Sequence, residues 1–223
     1  MSTIREIEAK WQAHMSNCQT ATFGMGCFWS PDARFGALPG VIRTKTGFAG
    51  GTTEHPTYRQ MGDHTETIQI EFDPDVLSFE EILSVFWRSH TSTNRTHYGE
   101  RQYMSLLFYH NEEQRETIER VKQELESERN EPIETEIQPF SSFTPAEERH
   151  QKYHVKRFKR AADELSSSFD TPDSFTNSTL IARLNGFVKE YTTLSRIEEE
   201  IHLWDLSDSY KEELTAFIRR IRW

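Results

Sequence analysis

The stretch from Glu66 to Phe72 limits what this chain can become more than any other. Glu66, Ile68, Ile70 and Phe72 share one face of an extended segment, and Thr67, Gln69 and Glu71 share the other, because alternate side chains of a strand point to opposite faces. Such a strand needs partners for its backbone and a layer over its apolar face. Helices are at hand for that layer. Ser78-Phe79-Glu80-Glu81 reads as a capping box opening a helix that carries Ile82, Leu83, Phe86 and Trp87. Asn111 to Arg129 reads as a charged amphipathic helix with Ile118, Val121 and Leu125 inward. Further strands are expected over Gln19 to Met25, Val41 to Phe48, Gln102 to Tyr109 and Ile133 to Gln138. Helices are expected over Trp29 to Leu38 and Pro145 to about Leu165. The order strand–helix–strand–strand–helix–strand predicts an α+β fold: a two-layer sandwich on a ferredoxin-like β-α-β-β-α-β core, helices covering one face of a mixed sheet.

The two ends read differently. Residues 1–18 form a helical lead-in with Ile4, Ile7, Trp11 and Met15 at helical spacing. Ser166 to Thr179 is polar and reads as a linker or draped segment. Residues 188–223 form a helical C-terminal extension, its last helix opened by a capping box at Ser209-Tyr210-Lys211-Glu212. A net charge of −10 over 223 residues repels phosphate backbones and anionic lipid, so neither nucleic acid nor a membrane is an expected partner. Apolar runs are too short to span a bilayer. Two cysteines make no disulfide framework, and Met1 to Asn17 is polar without a signal-like apolar core; a reducing, cytoplasmic setting is the expectation.

The chemistry concentrates in Thr22-Phe23-Gly24-Met25-Gly26-Cys27-Phe28-Trp29-Ser30-Pro31-Asp32. An apolar strand ends in a thiol at the start of a helix, where backbone N–H groups and the macrodipole favour a thiolate. Ser30 or Ser30-Pro31 is placed to cap and open that helix. Phe28 and Trp29 would wall the sulfur with apolar surface. Glu66 lies on the apolar face of its strand beside the long, Gly-rich loop running from Ala49 to Pro56, and desolvation there raises a carboxyl pKa. From the residues alone, other readings stay open: a structural cysteine, or a thiol hydrolase using His55 or His64. His150 and His154, four apart with Glu147 near, lack a third metal ligand and read as packing. The glycines from Gly47 to Gly51 match neither a phosphate loop nor a dinucleotide site.

Gly26-Cys27-Phe28-Trp29, Leu38-Pro39-Gly40-Val41, Gly47-Phe48-Ala49-Gly50-Gly51, Pro56-Thr57-Tyr58 and Gly62-Asp63-His64-Thr65-Glu66 occur in this order, followed by Phe86-Trp87, Gln102-Tyr103, Ala146-Glu147…His150-Gln151 and Leu184-Asn185-Gly186-Phe187. The series resembles the A-type peptide methionine sulfoxide reductases, from about Phe23 to Phe187. The resemblance implies that 19–187 is the catalytic domain and that Cys27 attacks the sulfur of methionine S-sulfoxide, protein-bound or free. It implies that Glu66 is the acid near the oxygen, that Tyr58 and Tyr103 are hydroxyl donors to it, and that Phe28 and Trp29 receive the S-methyl group. Cys27 would end as a sulfenic acid, resolved by an external thiol or a thioredoxin-like protein without a metal or bound cofactor. Two departures matter. No cysteine follows Cys27, and Cys18 is separated from it by a strand, so a one-cysteine cycle is expected. Between Asn94 and Tyr103 the family's Asp is missing, with Glu100 and His97 as possible substitutes.

Overall fold

The computed structural model describes residues 3–92 and 101–223. In chain order the elements are α1 (Ile4–Gln12), β1 (Gln19–Met25), α2 (Trp29–Gly36), β2 (Val41–Ala49), β3 (Thr65–Phe72), α3 (Phe79–Arg88), β4 (Ser105–Tyr109), α4 (Glu112–Arg129), β5 (Glu136–Pro139), β6 (Phe143–Pro145), α5 (Tyr153–Lys156), α6 (Lys159–Ser166), α7 (Pro172–Thr176), α8 (Thr179–Phe187), α9 (Leu194–Leu203) and α10 (Asp208–Arg220). The sheet runs β5-β4-β1-β3-β2-β6. Its four middle strands are antiparallel and joined as β1-α2-β2-β3-α3-β4; β5 adds parallel to β4, and β6 antiparallel to β2. This is the α+β sandwich the alternating patterns require.

One sheet face carries the first core. Phe23 of β1, Ile68, Ile70 and Phe72 of β3 and Leu107 of β4 pack with Phe35 of α2, Ile82, Leu83 and Phe86 of α3, and Ile118 of α4. Burying each such side chain is worth roughly 1.5–3 kcal/mol. A second core gathers on α8. Its Leu180, Ile181 and Leu184 meet Ile7 and Trp11 of α1, Ile197 and Ile201 of α9, and Leu214, Phe217 and Ile218 of α10. The N-terminal lead-in and the C-terminal helices thus share one apolar cluster, closed by Trp11 stacked on Trp204 with ring centroids 4.0 Å apart. Helices α2 and α8 approach so closely that a Cβ at Gly186 would collide with Ala37 and the Ala33 carbonyl. Arg183, buried in α8, donates to the Gly36 and Val41 carbonyls and pairs with Glu200 of α9.

A buried ion pair locks α2 in place. The Asp32 carboxylate accepts from the Lys152 ammonium (2.8 Å), the Lys152 amide (3.0 Å), the Asn185 amide (3.1 Å) and the Thr44 hydroxyl. Neither charged side chain reaches solvent. An uncompensated buried charge costs several kcal/mol, so each of these contacts is needed to hold the pair.

Several local readings are corrected. The predicted strand from Gln102 begins only at Ser105; Arg101–Tyr103 form a 3-10 turn, because the Arg101 carbonyl is taken by the Thr65 hydroxyl at 2.7 Å. The predicted helix from Pro145 to Leu165 is broken. The Ala146 amide still pairs with Thr46, a 3-10 turn covers Glu148–His150, and Lys152 sits at φ 52° with its amide spent on Asp32. His150 and His154 therefore share no helix. The strand at Ile133 starts later, at Glu136, since the Ile133 amide donates to Glu126 and the Glu134 amide to the Ser92 carbonyl. Ser166 to Thr179 contains α7, capped by Thr171 and Ser174. The last helix starts at Asp208 with Ser207 at its cap, as the Ser207 carbonyl takes the Tyr210 and Lys211 amides. Among the described residues no helix is long and apolar enough to cross a membrane.

Candidate active site

The site forms where β1 runs out. Beyond Met25 the chain turns through Gly26 at φ +87°, a conformation costly for any residue with a Cβ, and presents Cys27 before α2 begins. Phe28, not Ser30, occupies the cap position of α2, and its own side chain makes no capping hydrogen bond. The Phe28 amide instead donates to Glu66 Oε2 at 3.1 Å. Glu66, the second residue of β3, is 1% exposed and stands opposite Phe48 of β2. Its Oε1 accepts from Gln102 Nε2 at 2.7 Å, and the same amide donates to the Tyr103 hydroxyl at 3.0 Å. The Tyr58 side chain is close enough to Tyr103 to help raise its hydroxyl. Cys27, Glu66, Tyr103 and Tyr58 thus converge, although they come from the β1–α2 turn, β3, a 3-10 turn and a loop.

The electrostatics set the protons. Burial pushes the Glu66 carboxyl above its ordinary value, against the opposing hydrogen bonds from Gln102 and Phe28. Burial and the neighbouring Glu66 and Cys27 push Tyr103 up as well, which keeps its hydroxyl protonated. Cys27 departs from the sequence expectation of a lowered thiol. Although its side chain is exposed, partial desolvation and the Glu66 charge raise it, and the Trp29 amide offsets this only in part. A helix start helps a thiolate, but a carboxylate on the same few ångströms of backbone works against it.

Tyr58 is held by a loop that is far from slack. The Asp63 carboxylate accepts from the amides and hydroxyls of Thr52 and Thr53, which drives its carboxyl well below the usual range. His64 is 4% exposed, with Nε2 donating to the Thr53 carbonyl at 2.8 Å and Nδ1 accepting from Gly51 at 3.2 Å. Both its nitrogens are engaged in closing the loop, so His64 is not free to serve as a base for Cys27. At the far side the Tyr58 amide donates to Glu147 at 3.3 Å.

Phe28 and Trp29 take different places. Phe28 is 1% exposed and packs on Phe48, Tyr58 and His150. Trp29 is half-buried; its ring lies flat on Tyr153, centroids 3.8 Å apart and planes 4° apart, and its indole N–H donates to His150 Nδ1 at 3.3 Å. His150 is buried, which lowers its pKa, and its ring lies 4.4 Å from that of Tyr58. Gln102, Glu147, His150 and Tyr153 were not expected in the site. Gln102 stands beside Tyr103 in the sequence, and Ala146-Glu147 beside His150; adjacency was the available signal. Cys18 lies beyond the other end of β1, whose seven residues separate the two sulfurs by about 20 Å or more at ~3.3 Å per residue. A disulfide needs Cα atoms within about 7 Å. His97 and Glu100, weighed as substitutes for a missing Asp, lie outside the described residues. Among the described residues no three His, Cys, Asp or Glu side chains gather to hold a metal ion.

Comparison with known proteins agrees with this geometry. The profile of the family described as peptide methionine sulfoxide reductase matches residues 19–177. A Drosophila melanogaster protein named peptide methionine sulfoxide reductase is 42% identical over 195 residues, covering 86% of this chain and 77% of that one. A Methanococcus maripaludis relative of the same name is 40% identical over 150 residues, 64% of this chain but 96% of its own. In structure, the reduced form of Mxr1 from Saccharomyces cerevisiae superposes with a TM-score of 0.59 at 25% identity, over 65% of this chain and 88% of that one. A matched profile across most of the chain, a relative at this identity and a shared fold establish that this protein belongs to the peptide methionine sulfoxide reductase family.

Proposed function

We propose that the protein reduces methionine S-sulfoxide, protein-bound or free, to methionine, with Cys27 as the nucleophile. The observation that carries this reading is the chain of contacts from the Phe28 amide through Glu66 and Gln102 to the Tyr103 hydroxyl, with Tyr58 beside it, next to an exposed thiol. A sulfoxide oxygen is a poor leaving group until it is protonated. Glu66, its carboxyl raised by burial, holds a proton for it, and the two tyrosine hydroxyls donate hydrogen bonds as negative charge grows on oxygen. The Cys27 thiolate attacks sulfur to form a transient S–S bond; the protonated oxygen then passes to the Cys27 sulfur as the S–O and S–S bonds break, leaving Cys27 sulfenic acid and releasing methionine. Thiol plus sulfoxide thus gives sulfenic acid plus thioether.

Phe28 and Trp29 supply the apolar wall for the S-methyl group. The sulfenic acid is returned to thiol by two external thiols, which become a disulfide and release water. A thioredoxin-like protein supplies both, and no bound cofactor takes part. With Cys18 at the opposite end of β1, Cys27 works without a resolving partner inside this chain. Residues 19–187 form the catalytic unit, with α1 and the helices α9 and α10 packed on it, and the reducing cytoplasm is where two unpaired thiols persist. Trapping tests the chemistry. One turnover without reductant, followed by a sulfenic-acid-specific dione, is expected to label Cys27 alone by peptide mass spectrometry; label on Cys18, or none in the presence of consumed sulfoxide, contradicts it.

A further inference from the structure

Three parts of the proposed site meet at a residue that touches none of the reacting atoms. The Arg101 guanidinium donates through Nε to the Asp63 carbonyl at 3.2 Å, at the foot of the Tyr58 loop. Through Nη1 it pairs with Glu136 of β5 at 3.1 Å. Its backbone carbonyl accepts the Thr65 hydroxyl at 2.7 Å, one residue before Glu66. The next two residues are Gln102, which holds Glu66 and the Tyr103 hydroxyl, and Tyr103 itself. Side chain and backbone together clamp the Tyr58 loop, the start of β3 and the Gln102–Tyr103 turn.

We propose that Arg101 is a positioning residue that keeps the Tyr58 and Tyr103 hydroxyls and the Gln102 amide in register around Glu66. A planar guanidinium suits this, since its rigid fork fixes the directions of its donors, whereas the three donors of an ammonium turn freely on a flexible stem. The inference rests on the reading that these hydroxyls receive the sulfoxide oxygen. Their grip tightens as charge develops, so misplacing them costs turnover more than substrate binding. Gln102 has a second effect: its hydrogen bond favours the ionised Glu66 and so restrains the rise of that carboxyl. Loosening the turn lets Glu66 hold its proton to higher pH.

The test is Arg101→Met, which keeps the stem and removes the fork. Reduction of a methionine S-sulfoxide peptide with dithiothreitol is followed from pH 5 to 10, alongside urea unfolding. The expected result is a kcat lower by about 10-fold, a KM changed much less, and an alkaline limb of kcat displaced upward. Arg101→Lys is expected to restore only part of the rate. A wild-type kcat and pH profile in Arg101→Met overturns the proposal, as does a loss that simply follows lowered unfolding stability with the limb unmoved. Should Arg101→Met not fold, Glu136→Gln, which frees one arm of the fork at a half-buried position, carries the same expectation and the same refutation. Wild type that reduces no sulfoxide overturns the functional reading itself, a separate outcome.

Discussion

At the level of single residues, Cys27 and Glu66 govern each other's protons. The Glu66 charge raises the thiol, and both groups are pushed up by desolvation. With Glu66 protonated its share of the penalty on Cys27 disappears and desolvation alone still raises the thiol, so a neutral acid beside Cys27 makes the thiolate easier to form. The linkage has a direction. Glu66→Gln removes a negative charge from beside Cys27, so the thiol should titrate at lower pH, read as a downward shift in the pH profile of iodoacetamide alkylation. The amide still donates a hydrogen bond, so Glu66→Gln should retain more reductase activity than Glu66→Ala, for which a loss of about 10²–10³-fold in kcat is expected. Equal losses would mean that proton delivery dominates. An unshifted alkylation profile would show that the two groups do not interact.

At the scale of elements, α1 docks through a buried carboxylate. Glu8 accepts from the Ser178 hydroxyl and, at 2.7 Å, from the Leu180 amide at the start of α8, and burial pushes its carboxyl up to about 7. The native state holds this proton up to about pH 7 while the unfolded chain releases it near 4.5, so its contribution is fully present below the lower value and lost on rising through the higher. The span corresponds to about 3 kcal/mol at 1.36 kcal/mol per pH unit. Glu8→Gln should therefore flatten the fall in unfolding free energy between pH 5 and 8, and a slope equal to wild type would refute the assignment. Elements also show what the sequence could and could not disclose. Alternation at Glu66 to Phe72 and the Ser78 capping box mark β3 and α3, because local periodicity and local capping determined them. The break between Pro145 and Leu165 was not legible. It depends on Lys152 turning left-handed to reach Asp32, 120 residues away in sequence. Likewise the motifs that carry Cys27, Glu66, Tyr58 and Tyr103 can be read from the sequence, but Gln102 and His150 gain their places only from long-range contacts to Glu66 and Trp29.

Over the whole molecule, the sheet and its covering helices offer the thiol at a strand end, while the terminal helices build their own core on α8. That division predicts separable effects. Trp204→Ala removes a ring stacked on Trp11 and should cost about 3–5 kcal/mol in urea unfolding, with the kcat of sulfoxide reduction close to wild type; an equal collapse of kcat in the folded variant would tie the terminal core to the site. Cys27 acts without Cys18, on one epimer of one functional group. The measurement that tests this most directly is epimer-resolved reduction of methionine sulfoxide with dithiothreitol by wild type, Cys27→Ser and Cys18→Ser. The account predicts that wild type and Cys18→Ser consume the S epimer alone and that Cys27→Ser consumes neither. Turnover surviving in Cys27→Ser, or absent from wild type, would contradict it.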